Sequence, residues 1–300
     1  MLGLGVGVAA SVVAGCAVSR TPSAGSPTSS GSAPGSGSAT TAATASRTPT
    51  VFASTTPGRP FHAPTGLTKE PLPKGKFNTI PAAGGLFAMT VDDGTNGAVL
   101  KGYCDLASAT GMRLTFFANG SSAAWKQHAD VVRPLVESGQ VFIGNHTWSH
   151  PYLTKITDAE IETEMRRNEE FLYAHFGVTG RPFCRPPFGA YNAHVIGVLA
   201  RLGYPSVAMW SGSIGDSTPV TPEFISGMAQ QYFLAGNVVL GHANHPPVLS
   251  VIDRFATLIA ERGLQPVHLG DVYDADAAAR AVSSVSPEPP RTPTSATRTP

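Results

Sequence analysis

Two clusters of residues in this chain could do chemistry, and each closes a run that reads as a β-strand. Asp92 and Asp93, followed by Gly94, come after the apolar run Leu86-Phe87-Ala88-Met89. Asn145-His146-Thr147-Trp148-Ser149-His150 comes after Val141-Phe142-Ile143. Together they offer one carboxylate and two imidazoles to a divalent ion, with a second carboxylate beside them. Three protein ligands leave positions open for water and substrate, and the spare carboxylate is a candidate base, so the set suits metal-assisted hydrolysis. Adjacent aspartates on a strand point to opposite faces, but at a strand end they can splay, one toward an ion and one toward a water. An Asp-Gly pair is equally a turn signal. His146 and His150 stand four apart, a spacing that one helical turn would bring to one face; a pair of solvated loop histidines would show the same spacing.

Three further stretches end strand-like runs. Arg185-Pro186-Pro187-Phe188-Gly189 has a backbone restricted by its prolines, and an arginine held there could pair with a carboxylate and keep it ionised. The loop from Trp210 to Asp216 offers Asp216 as partner for a histidine. In Leu240-Gly241-His242 the leucine suits an apolar wall and His242 faces a site, whereas His245 reads as a loop histidine.

These stretches must be positioned by a scaffold, and the periodicity supplies one. Strands are expected at residues 86–91, 113–118, 140–143, 181–184, 205–210, 237–240 and 266–269. Helices are expected at 96–110, 129–138, 193–202, 222–234 and 250–262, and a further one begins at Thr157, whose Glu160 completes a capping box. Repeated βα units imply a parallel sheet, because each crossover needs a helix. Seven to eight such units fit a distorted (β/α) barrel of parallel strands, in which the chemistry sits on loops at the C-terminal strand ends. Every polar cluster named above falls at such an end.

Composition bounds the rest. Residues 17–57 and 283–300 are dominated by Ser, Thr, Pro, Gly and Ala, too poor in apolar groups to offset the entropy of ordering, and read as a disordered linker and tail. Residues 58–84 read as an extended lead-in and 85–276 as the catalytic domain. With 21 basic and 20 acidic side chains and a net charge of +1, no nucleic-acid surface is expected. Residues 1–16 read as a signal peptide, and Val13-Ala14-Gly15-Cys16 resembles a bacterial lipobox, in which Cys16 would carry lipid, although no Lys or Arg precedes the apolar run. The chain is therefore expected to be exported, membrane-anchored through lipid or secreted. Cys104 and Cys184 are then an even pair in an oxidising compartment; buried free thiols are the favoured reading, with pairing left open.

In order along residues 86–272, the five clusters resemble the five motifs of the NodB-homology polysaccharide deacetylases, carbohydrate esterase family 4. The resemblance implies that Asp93, His146 and His150 bind one divalent metal, zinc by default, with cobalt, nickel and manganese also suited. It implies that Asp92 is the general base toward the attacking water and His242 the general acid toward the leaving amine. Arg185 would orient Asp92, Asp216 would tune His242, the Phe188 backbone N–H would stabilise the oxyanion, and Leu240 would bound the acetyl pocket. The implied reaction is removal of N-acetyl groups from an amino-sugar polysaccharide such as peptidoglycan or chitin. The fourth motif departs from the family: Ser213 and Ser217 stand where an Asp and a Trp are usual. Two rival readings stay open, an O-acetyl (xylan-type) esterase on the same site and a weakly active cell-wall-binding module. A mononuclear iron oxygenase also uses two histidines and a carboxylate, but its all-β scaffold does not match this pattern.

Overall fold

In the computed structural model of this protein the described residues are 59–275. The signal segment with Cys16, the linker at 17–57 and the tail at 283–300 lie outside them. In chain order the elements are β1 (Gly75–Phe77), β2 (Leu86–Asp93), α1 (Gly97–Thr110), β3 (Leu114–Ala118), α2 (Ala123–Gln127), α3 (Ala129–Glu137), β4 (Val141–Asn145), α4 (Asp158–Phe176) and β5 (Phe183–Cys184). They continue as α5 (Ala193–Arg201), β6 (Ser206–Ala208), β7 (Gly212–Ser213), α6 (Pro222–Tyr232), β8 (Val238–His242), α7 (Ile252–Glu261), β9 (Gln265–Pro266) and α8 (Leu269–Val272).

The strands make one nine-stranded sheet in the order β1-β6-β5-β4-β3-β2-β8-β7, with β9 added on β2. Every ladder is parallel. The expected distorted (β/α) barrel is present as a half-barrel: among the described residues β1 and β7 do not pair with each other, so the sheet stays open. Nine strands replace the expected seven to eight because β1 and β7, of three and two residues, are too short to show an alternating pattern. The lead-in packs on the domain: Phe61 is buried and its N–H donates to the Thr110 carbonyl, and Glu70 bridges to Tyr273.

The central strands read as largely apolar runs because both faces are buried, one under the helices and one in the strand-lined interior with Phe117, Phe183 and Val238. All eight residues of β2 and all five of β3 are buried. The helices start and stop where the chain supplies end groups. The Asn96 side chain accepts from Ala98 N and Val99 N to open α1, and Gly111 closes it in the left-handed conformation. Thr157 and Glu160 form the expected capping box on α4. Cys104 on α1 and Cys184 on β5 are free and buried, and burial pushes both thiols up, Cys104 to about 12, so neither supplies a thiolate at neutral pH.

At the sheet end opposite Asp92, the Arg113 guanidinium grips both Asp271 oxygens, at 2.6 and 2.7 Å. His268 caps α8 by accepting from Asp271 N–H at 3.1 Å. Burial, helped by the Arg113 charge and only partly offset by Asp271, pushes His268 down to about 4. The unfolded imidazole takes a proton near pH 6.5 and the folded one does not, so stability is full above that pH and falls as pH drops toward 4. Urea unfolding should show roughly 2 kcal/mol more loss between pH 7.5 and 5 in the wild type than in His268→Gln. Equal losses would exclude this group as the source.

Candidate active site

The C-terminal ends of β2, β4 and β8 meet at one cleft of about 710 Å³. Its lining includes Asp92, Asp93, His146, His150, Phe188, Leu240 and His242, together with Trp210, Ser213 and Ser217. In the ladders Asp92 stands opposite His242 on β8, and Asp93 opposite Ala118 on β3. Both aspartates serve one cleft because Asp93 leaves the strand conformation, with φ 70°. Its carbonyl is held there by the Trp125 indole N–H at 2.7 Å.

His146 and His150 do meet, but not on a helical turn. A loop carries them, in which Thr147 and His150 take φ of 69° and 63°. The buried Asn145 shapes it: its Oδ1 accepts from Thr147 N at 2.9 Å, and Thr147 Oγ1 accepts from His150 N at 3.1 Å. These local side-chain bonds replace the helical bonds that the spacing alone suggested. Among the described residues, Asp93, Thr147, His150 and Phe188 are the non-glycine residues with positive φ. All four lie at this site, where strained backbone is held by its surroundings.

Asp93 Oδ1 lies 3.3 Å from the Nε2 atoms of both His146 and His150. The three donor groups fall within 4.8 Å of one another. Two ligand atoms, each about 2.1 Å from a tetrahedral ion, sit about 3.4 Å apart, so this donor set fits zinc or a similar divalent cation. His146 Nδ1 bonds the Arg185 carbonyl at 2.6 Å, which leaves Nε2 as the ligand nitrogen. Burial opposes charge on Asp93, but the His146 hydrogen bond and the two imidazole charges prevail and hold it well below the usual carboxylate range. Burial likewise opposes charge on His146, and the Asp92 and Asp93 carboxylates raise it nonetheless. Burial and the His146 charge leave His150 lowered.

Arg185 is fully buried, and its Nη1 donates to Asp92 Oδ1 at 2.7 Å. The same guanidinium donates to Thr90 Oγ1, Ala208 O and Met209 O, and stacks over the Phe117 ring. Asp216 is buried and doubly bound to His242, accepting from its backbone N–H at 3.0 Å and from Nδ1 at 2.9 Å. Burial alone would lower His242, but the Asp216 bond and the Asp92 charge raise it. The His245 ring lies 3.3 Å from the Ser217 carbonyl, and His245 is a loop residue, as expected.

Three residues escaped the sequence reading. Asn244 donates to Asp93 Oδ2 at 2.6 Å and accepts from Thr95. Its signal was positional: β2 and β8 are neighbours, so the loops after Asp93 and His242 must touch. Thr90 links Arg185 to the Val239 carbonyl, and Asn119 bonds the His146 and Thr147 carbonyls. Thr90 opens the first motif, Thr90-Val91-Asp92-Asp93-Gly94, but carries no ligating or titrating group to mark its role, and Asn119 stands in no motif that composition or spacing marks.

The sequence model of the polysaccharide deacetylase family matches residues 80–207, taking in Asp92, Asp93, His146, His150 and Arg185 and ending before Asp216 and His242. A chitin deacetylase of a Pestalotiopsis species is 30% identical over 228 residues, covering 73% of this chain and 74% of that protein. A peptidoglycan-N-acetylglucosamine deacetylase of Listeria monocytogenes is 27% identical over 217 residues, 71% of this chain. The chain spans 42% of that protein's length. The crystal structure of a peptidoglycan N-acetylglucosamine deacetylase superposes with a TM-score of 0.61 at 23% identity, over 67% of this chain and 94% of that one, which places the fold. This chain belongs to the polysaccharide deacetylase family.

Proposed function

We propose that this chain is a metal-dependent deacetylase that removes N-acetyl groups from an amino-sugar polysaccharide, of the peptidoglycan or chitin type. The observation that supports this most is one cleft holding three differently prepared groups: an ion-binding triad, a carboxylate fixed by a buried arginine, and an imidazole fixed by a buried aspartate. Asp93, His146 and His150 would hold the ion, zinc by default. When bound, such an ion lowers the pKa of water and polarises a carbonyl.

The protein's own groups divide the remaining work. Asp92 takes the proton of the attacking water, and the Arg185 hydrogen bond keeps its carboxylate aimed. His242 donates from Nε2 to the departing nitrogen, which an amide requires because an unprotonated amine leaves poorly. Asp216 holds Nδ1, and so the tautomer and the orientation. The Phe188 backbone N–H, in a strained turn at φ 59°, serves the oxyanion, and Leu240 walls the acetyl methyl. The deacetylase domain is assigned to residues 85–276. Export as a lipoprotein through Cys16, or as a secreted protein, fits a wall polymer as substrate.

Because His242 must carry its proton, activity should be lost as pH rises through its raised pKa. Asp216→Asn keeps a hydrogen-bond partner but removes the charge, so the alkaline limb of the kcat profile should move to lower pH by about one unit. An unmoved limb would remove Asp216 from this role.

An O-acetyl esterase on the same site is the second reading, favoured by one observation: the small side chains of Ser213 and Ser217 line the cleft where an Asp and a Trp are usual in the family. Acetate release from N-acetylglucosamine oligomers and from acetylated xylan, by wild type and His242→Ala, tests the choice. The N-deacetylase reading expects faster release from the oligomer and a much larger loss there on His242→Ala, since an ester needs less help from the acid. The reverse ranking would overturn it.

A further inference from the structure

The two imidazoles of the triad are held in different ways. The His146 side chain is only 2% exposed, and its second ring nitrogen is tied to the Arg185 carbonyl. The His150 side chain is 29% exposed, and no protein group among the described residues hydrogen-bonds its second ring nitrogen. Metal-binding histidines are ordinarily oriented by such a bond, and losing it costs about 10- to 100-fold in metal affinity. His150 has a ring contact instead. Its imidazole packs against Phe188 at a centroid distance of 4.4 Å and an interplanar angle of 65°.

Phe188 is itself braced. Its ring stacks on Tyr152 at 3.9 Å and 12°, although both are large rings at the surface, 55% and 39% exposed. Two such rings left apart would each show both faces to water; stacked, they hide one face each and restrain one another. Tyr152 is anchored from its own side. It opens the short turn Leu153–Lys155, Leu153 is buried, and the turn returns Lys155 Nζ to 4.3 Å from the Tyr152 ring centroid. Pro151 stiffens the two-residue path from His150 to Tyr152. A ring ladder therefore runs Lys155, Tyr152, Phe188, His150 and ends on the ion-binding atoms.

We propose that Tyr152 is a positioning residue for His150, acting through the Phe188 ring, so that an aromatic stack does for this ligand what the Arg185 carbonyl does for His146. The inference rests on the reading of Asp93, His146 and His150 as an ion site. It assigns Tyr152 no contact with substrate or with reacting atoms. What matters is the flat ring and not the hydroxyl, for which no hydrogen bond is found among the described residues.

The test is zinc affinity of the full chain at pH 7.5, measured by competition with a chromophoric chelator, with cobalt substitution as a spectroscopic check. Tyr152→Ala should weaken zinc binding about tenfold and change the visible cobalt spectrum, while Tyr152→Phe stays within twofold of wild type on both. Because Tyr152 acts through Phe188, Phe188→Ala and the double variant Tyr152→Ala/Phe188→Ala should be equally weakened. A merely structural role would lower thermal stability without moving the zinc constant. Tyr152→Ala binding within twofold of wild type, or Tyr152→Phe as weak as Tyr152→Ala, would overturn the proposal alone. A wild type that binds no ion would overturn the ion site and this proposal with it.

Discussion

Asp92→Asn should abolish hydrolysis while leaving the ion site intact. A general base contributes about 10²- to 10⁴-fold, so kcat is expected to fall about 10³-fold. The change is nearly isosteric, and Asp92 lies 3.7 Å from His146 Nε2, outside the closer cluster that Asp93 makes with both histidines. Zinc affinity should therefore stay within a few-fold of wild type. Steady-state acetate release together with a zinc titration checks both halves. A variant that lost activity and zinc in proportion would mean that Asp92 is a ligand and not a base.

The largest stability effect is expected at Arg185. The side chain is fully buried and satisfies four acceptors, of which Asp92 is the charged one. A buried ion pair need not add net stability, but removing one partner leaves a charge in low dielectric at a cost of about 3–5 kcal/mol. Arg185→Met should be destabilised by that amount in urea and be nearly inactive. Adding Asp92→Asn to it removes the stranded charge, so the double variant should recover part of the stability and none of the activity. If the double variant were as unstable as the sum of the two single ones, the pair would not be coupled, and the three other acceptors would account for the loss.

How much of this was legible from the residues follows from what each feature depends on. β2 and β3 were plain because a strand buried on both faces is mostly apolar, and α4 because Thr157 and Glu160 cap it locally. Each of the five clusters sits next to the strand that carries it, so its place at one sheet end followed from the alternation of strands and helices. The half-turn of loop that joins His146 to His150 was not legible. Its geometry depends on Asn145 being buried and bonded by Asn168 Nδ2 and on a strained Thr147, and HxxxH spacing is compatible with either a loop or a helix. β1 and β7 escaped because two or three residues carry no period. Asn244 and Tyr152 escaped for a different reason: their importance lies in partners 151 and 36 residues away, Asp93 and Phe188, and only the assembled fold brings these together.

In the proposed mechanism an ion held by Asp93, His146 and His150 and a base at Asp92 act together on an acetylated amino sugar. Acetate release from an N-acetylglucosamine oligomer by the full chain tests it most directly, with zinc-loaded, chelator-treated and zinc-restored wild type beside zinc-loaded His146→Ala. The expected result is release that is lost on chelation, regained with zinc, and absent from His146→Ala at every zinc concentration that saturates the wild type. Release that survives chelation, or that His146→Ala retains, would contradict the account.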